Sequence, residues 1–410
     1  MRSDKVTVLD LGSSSIRCLV AEVDPSGGYR VKAQASAPCR GVKKGVVADL
    51  DETAHAIDNV CRSIQNKIGS PLDPLVVGIG GQHVEGQNAQ GFVPIYPRSR
   101  PITREDVLQV VNHSRQLGVP PDREQIQALP REFRIDGQRG IQRPIGMNGS
   151  KLEVITYIVT GQTSHIQNIE RAVQMAGQRI DQMVLKPLAS GLGVLSQESI
   201  ENGAAVVDIG GGTTEVAVFA GGSIVYSATV PVGGMLVTSD LCKLIKVSPE
   251  DGERLKLTHG SARPETVNEK ETVEVMQIGQ TRARPMQRKV LCEIIESRMR
   301  ELSVMVRQQI EKSGFNGMLP AGVFLTGCGS LLPGTEHLFA ETLKHMRVTT
   351  AAPQMKGLLG SGPERHGMSV VVGLAKYALE MGDNELTPAS GKRDWKETVR
   401  TMWSLFGGRA

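Results

Sequence analysis

The residues best suited to chemistry sit in two turns built of small side chains. The apolar run 6–9 leads into Asp10-Leu11-Gly12-Ser13-Ser14-Ser15, and a second apolar run follows that carries Arg17. Asp208-Ile209-Gly210-Gly211-Gly212-Thr213-Thr214 lies in the same setting, between the runs 205–207 and 215–219. Glycine lets a backbone approach phosphate oxygens closely, turn amides and hydroxyls donate to them, and a carboxylate at a strand end can orient waters around Mg²⁺. Either turn alone reads as an ordinary Gly-rich hairpin. Occurring once in each half, with the aspartates 198 positions apart, they predict a duplicated, two-lobed α/β protein whose loops clamp one polyphosphate across a cleft.

A third segment fits the base end of such a ligand. Val323-Phe324-Leu325-Thr326 reads as a buried strand running into Gly327-Cys328-Gly329-Ser330, with a helical pattern after Pro333. Gly-rich backbone there can lie flat against a purine. The chain has no G-x-x-x-x-G-K-[ST] and no G-x-S-x-G, which disfavours a P-loop NTPase and an ordinary serine hydrolase. Its six cysteines and eight histidines are dispersed, without C-x-x-C or H-E-x-x-H, so a disulfide framework or zinc site is not expected. Any metal should arrive with a nucleotide.

The elements that must position these loops are legible in outline. A chain of 410 residues with 40% hydrophobic and 22% charged content suits two to four folded domains. No apolar run approaches membrane-spanning length, and the first breaks at Asp10, so a cytoplasmic protein is expected. Ala54, Ile57, Val60, Cys61 and Ile64 predict a helix over 51–68, followed by a buried strand at 75–79. Prolines punctuate strands through 82–162, where Thr103 can cap a helix at Glu105 and Asp106. A helix over 164–175 returns to the first lobe, 186–195 connects the lobes, and the second begins near Gly203. A long helix from Gln287 turns Leu291, Ile295, Leu302 and Val306 inward, and Arg288, Lys289, Arg298, Arg300 and Arg307 outward. Such an outer face is ordinarily just solvated.

The end of the chain differs from the rest. The net charge is +4, but 392–410 holds five basic residues against two acidic ones, leaving the body near neutral. That argues against nucleic-acid binding. Trp395, Val399, Met402, Trp403 and Phe406 fall on one helical stripe, with Lys396 and Arg400 on other faces. Both tryptophans of the chain lie here, after a polar stretch, 382–393, that reads as a flexible linker. The pattern predicts an amphipathic helix lying on anionic lipid, binding weakly per copy and strengthened by assembly.

The paired D-x-G turns, the T-G-x-G-S segment and their order resemble the actin, heat-shock chaperone and sugar-kinase superfamily, and the whole chain resembles the FtsA family of bacterial cell-division proteins. Pro231-Val232-Gly233-Gly234, Thr238-Ser239-Asp240-Leu241 and Glu253-Arg254-Leu255-Lys256 add to the likeness. The resemblance implies an actin-like two-lobed ATPase fold with a first-lobe core at 1–81, completed by 163–202 and about 367–381. It implies an inserted subdomain at 82–162, a second core at 203–238 and 301–366, and an upper subdomain at 239–300. ATP phosphates would be held by Gly12, Ser13, Ser14 and Arg17, and by Gly210, Gly211, Gly212, Thr213 and Thr214. Asp10 and Asp208 would hold Mg²⁺ through water, with Gly234, Glu253, Lys256, Gly327, Gly329 and Ser330 on the adenosine side.

By the same resemblance the upper subdomain would receive the acidic C-terminal segment of the tubulin-like protein FtsZ, with Arg298 as a contact. The inserted subdomain would meet other division proteins, and copies would self-associate at the cytoplasmic face of the inner membrane, at the septum. Two positions depart from relatives. Cys328 stands where many have glycine, and Lys186-Pro187 where actin-like relatives often have Glu-Pro, the acid that positions water. A lysine is no base at neutral pH, so ATP binding with slow or absent turnover is expected. The rival readings are a soluble sugar-type kinase and an actin-fold pilus or secretion platform.

Overall fold

The structure, a computed structural model, describes residues 5–116 and 119–381. The expected linker at 382–393 and lipid-binding segment at 394–410 lie outside these residues.

Both D-x-G turns are hairpins at the centre of equivalent five-stranded sheets. In the first sheet the order is Ile180–Leu185, Leu75–Ile79, Lys5–Leu11, Ser15–Val23, Tyr29–Pro38. In the second it is Val348–Thr350, Gly322–Thr326, Ala204–Ile209, Thr214–Ala220, Ser223–Val230. Each aspartate strand pairs antiparallel with the strand after its turn and parallel with one from later in the chain. Asp10 lies opposite Arg17 and Gly78, and Asp208 opposite Glu215 and Thr326. Strands buried on both faces explain the unbroken apolar runs flanking each turn.

Two helices tie the lobes together. Lys186–Val194 follows the edge strand of the first sheet and is buried along most of its length. Ser369–Met381 crosses it at Gly373, where an added Cβ would fall 1.6 Å from the Ala189 carbonyl oxygen. Only a hydrogen permits that approach. Gly191 likewise leaves room for the Phe219 ring of the second sheet, so one apolar core runs through both lobes.

The inserted segment forms its own antiparallel sheet, ordered Gln138–Ile141, Arg123–Ile135, Lys151–Gln162, Val84–Pro94, with the helix Arg104–Arg115 packed on it. Thr103 caps that helix through the Asp106 amide, and Asp106 accepts in return from the Thr103 amide at 2.8 Å. The helices Gly234–Ile245 and Arg288–Lys312 run across the boundaries expected at 238 and 300. The upper part of the second lobe is thus built on helices continuous with its core. Leu291, Ile295, Leu302 and Val306 are buried as the stripe requires.

The outward basic residues of that long helix are paired. Arg288 meets Glu271, Lys289 meets Glu269, and Arg300 meets Glu296. Arg298 grips Asp240 with Nε and Nη2 at 2.6 and 3.1 Å, and also bonds Glu301.

Candidate nucleotide-binding cleft

The two hairpin turns meet where the lobes face each other. A Cβ on Gly212 would lie 2.6 Å from Ser13 Oγ, and one on Gly211 3.0 Å from Ser14 Oγ. The cleft between the lobes has a volume of about 300 Å³. Asp10, Gly12, Ser13, Ser14 and Arg17 line it from the first lobe, Asp208, Gly210, Gly211, Gly212 and Thr213 from the second. Gly234, Glu253, Lys256, Gly327 and Gly329 complete the expected set, with Met235, Leu257 and Leu332 adding apolar surface. Polar donors from both lobes beside an apolar wall of the second lobe suit a ligand with a charged end and a flat apolar end.

Two expected residues do not line the cleft. Thr214 is the first residue of its strand and points to the opposite side from Thr213, as strand alternation demands; its buried hydroxyl donates to the Val232 carbonyl at 2.8 Å. Ser330 is 4% exposed and its hydroxyl donates to Gly327 O at 2.7 Å, closing a tight turn. Both hydroxyls are committed to the fold.

Glu253 and Lys256 are more than an exposed helix pair. Lys256 Nζ donates to Glu253 Oε2 at 2.6 Å, Thr238 Oγ1 at 2.9 Å and Gly234 O at 3.1 Å. It fastens the helix Pro249–His259 to the start of Gly234–Ile245. Cys328 is exposed, donates to Pro363 O at 3.2 Å, and receives Arg17 Nη2 at 3.8 Å from the other lobe.

Lys186 and Glu215 also line the cleft, and neither was an expected binding residue. Lys186 Nζ lies 2.8 Å from Asp10 Oδ1 and donates to Leu11 O at 2.7 Å. Glu215 accepts from Thr229 at 2.5 Å and Thr213 at 3.2 Å. The signal for Glu215 was its spacing: it follows Asp208 by seven residues, as Arg17 follows Asp10, so each sits beside its aspartate across the hairpin. Burial pushes the Glu215 carboxyl up to about 7 and that of Asp208 to about 6, although Ser369 donates to Asp208 Oδ2 at 2.8 Å.

These surroundings bear on the metal. Mg²⁺ takes hard oxygen ligands and their charge. Asp10 already faces the Lys186 ammonium, with the Arg17 guanidinium 4.0 Å from its other oxygen. Asp208 spends one oxygen on Ser369. Among the described residues, no three or more His, Cys, Asp or Glu gather into a set able to hold a metal ion. The two aspartates stand at the cleft as expected, but their environment does not fit Mg²⁺ held by this pair.

Two hairpin-centred sheets around one cleft define the actin-like ATPase fold. Solved structures agree. The chain superposes on a PilM–PilN type IV pilus biogenesis complex with a TM-score of 0.65 at 18% identity, covering 93% of this chain and 100% of the other. It superposes on MreB5 of Spiroplasma citri bound to ADP with a TM-score of 0.55 at 12% identity, covering 92% and 96%. The family model "Cell division protein FtsA" matches residues 205–376, and "SHS2 domain inserted in FTSA" matches residues 81–160. The "Cell division protein FtsA" of Neisseria meningitidis serogroup B is 33% identical over 387 residues, covering 94% of this chain and 93% of the relative. The chain belongs to the FtsA family of cell-division proteins. No helix among the described residues is long and apolar enough to cross a membrane.

Proposed function

We propose that this chain is an ATP-binding membrane tether for division: it assembles, docks FtsZ filaments and holds them at the cytoplasmic face of the inner membrane at the septum. The observation that carries this reading is the apposition of Ser13 and Ser14 with Gly212 and Gly211 across the cleft. A polyphosphate held by both turns would link the lobes, so nucleotide can act as a conformational switch for assembly. Turnover is expected to be slow or absent, because Lys186 carries an ammonium where a water-positioning acid would be needed.

For the tether, the support is the segment 392–410, whose aromatic stripe and basic flank suit anionic lipid. For FtsZ, it is a groove of about 380 Å³ between Gly234–Ile245 and Arg288–Lys312, lined by Leu244, Val290, Ile294 and Arg298. Asp240 and Glu301 already hold Arg298 there. A partner carboxylate must displace one of them, so the apolar rim should carry most of the affinity.

Calorimetric titration of the purified chain with ATP tests the cleft. Saturable one-to-one binding, lost on Gly12→Val, is expected; no binding would contradict the nucleotide reading.

A further inference from the structure

We propose that the Lys186 ammonium supplies the fixed positive charge that a divalent cation would otherwise bring to this cleft, so that the chain binds nucleoside triphosphate almost as tightly without Mg²⁺ as with it. The inference rests on the nucleotide reading above.

Lys186 is built into the cleft rather than laid along its surface. A Cβ on Gly78 would lie 3.2 Å from Lys186 Cγ, and one on Gly80 3.2 Å from Lys186 Cδ. These two glycines keep open a slot for the lysine stem, and the side chain is 11% exposed. At its tip, Nζ lies 2.8 Å from Asp10 Oδ1 and 2.7 Å from Leu11 O. An ammonium has three donors. One is directed at Leu11 O while the contact with Asp10 is an ion pair, and because the residue lines the cleft, donor capacity is left for a phosphate oxygen.

The charges then decide between lysine and metal. A Mg²⁺ ion drawn to Asp10 would meet a carboxylate already compensated by Lys186, and would face that ammonium and the Arg17 guanidinium at close range. Water screens such repulsion poorly in a half-buried site. A triphosphate meets the opposite field: Lys186 and Arg17 attract it, and neither needs a metal to bridge them to it. Lysine binds phosphate as a point charge in other phosphate sites. A buried ion pair that serves only stability would leave the nucleotide dependent on metal, and this separates the two roles.

The test compares ATP affinity of the full chain in excess Mg²⁺ and in excess EDTA, at matched ionic strength. For the wild type the two dissociation constants should agree within about threefold, and for Lys186→Gln binding in EDTA should be weaker than in Mg²⁺ by about tenfold or more. A wild-type loss of tenfold or more in EDTA overturns the inference and leaves the nucleotide reading standing. Failure to bind in either buffer removes both. If Lys186→Gln does not fold, the wild-type ratio still decides. Electron paramagnetic resonance of Mn²⁺ titrated into the ATP-loaded wild type gives a second readout: retention no tighter than by ATP alone is expected, and tighter retention contradicts the inference.

Discussion

Gly212 of the second lobe stands so close to Ser13 of the first that an added Cβ would fall 2.6 Å from the serine Oγ and 2.8 Å from its Cβ. The lobes therefore touch through backbone on one side and a short hydroxyl side chain on the other, at the point where the two D-x-G turns converge.

Gly212→Ala should wedge the loops apart. Gly212 is not among the glycines with positive φ, so the cost is one of space rather than backbone strain. ATP affinity by calorimetry should fall by about tenfold or more, and the melting temperature should fall less than for Gly373→Ala, because the clash is with a short side chain rather than with backbone. An unchanged affinity would mean that the loops do not act together on a ligand.

Glu215→Gln should alter the pH dependence of stability. The folded carboxyl titrates near 7 against an ordinary value of 4.5. Its contribution is therefore complete below about 4.5 and lost as pH rises through 7. Between pH 5 and pH 8 the wild type should lose stability relative to the variant, by at most about 3 kcal/mol. Denaturant melts of both proteins across that range measure the difference directly. Asp208, raised in the same direction, and His83, lowered by burial to about 4, are present in both and largely cancel.

Gly373→Ala should be severely destabilising. Its Cβ would fall 1.6 Å from the Ala189 carbonyl oxygen at the crossing of the two helices that join the lobes. Overpacking of this kind costs about 3 kcal/mol, read as a shift in the denaturation midpoint. A neutral result would mean that the crossing repacks freely.

In the upper groove, Leu244→Asp should reduce FtsZ co-sedimentation more than Arg298→Ala. Leu244 is 67% exposed and free to contact a partner, whereas Arg298 is held by Asp240 and Glu301. Arg298→Ala should instead lower the melting temperature, because Asp240 loses its bidentate partner. The reverse order of effects would make Arg298 the main FtsZ contact.

Much of the fold was legible because strands flanking small-residue turns and helices with apolar stripes are local patterns. The hairpins at Asp10 and Asp208, the capped helix after Thr103 and the stripe through Leu291 and Val306 all follow from residues within a turn or two of each other. What escaped is set by long-range register. Lys186 and Asp10 are 176 positions apart and meet only because parallel strands bring them to one end of the same sheet. Thr214 and Ser330 were expected at the site because they adjoin glycine turns that line the cleft; the strand pleat and a tight turn direct their hydroxyls to backbone carbonyls instead. Asp10 and Asp208 were expected to hold metal from their place at the strand ends, but the pairing of Lys186 with Asp10, which argues against that, is not visible in either local sequence.

The proposed tether between FtsZ and lipid is tested most directly by a three-component sedimentation with anionic liposomes, FtsZ and ATP. The full chain should carry FtsZ into the liposome pellet, and Trp403→Glu should leave FtsZ in the supernatant while still binding ATP. FtsZ recovery that is equal with both proteins, or absent with both, would contradict the account.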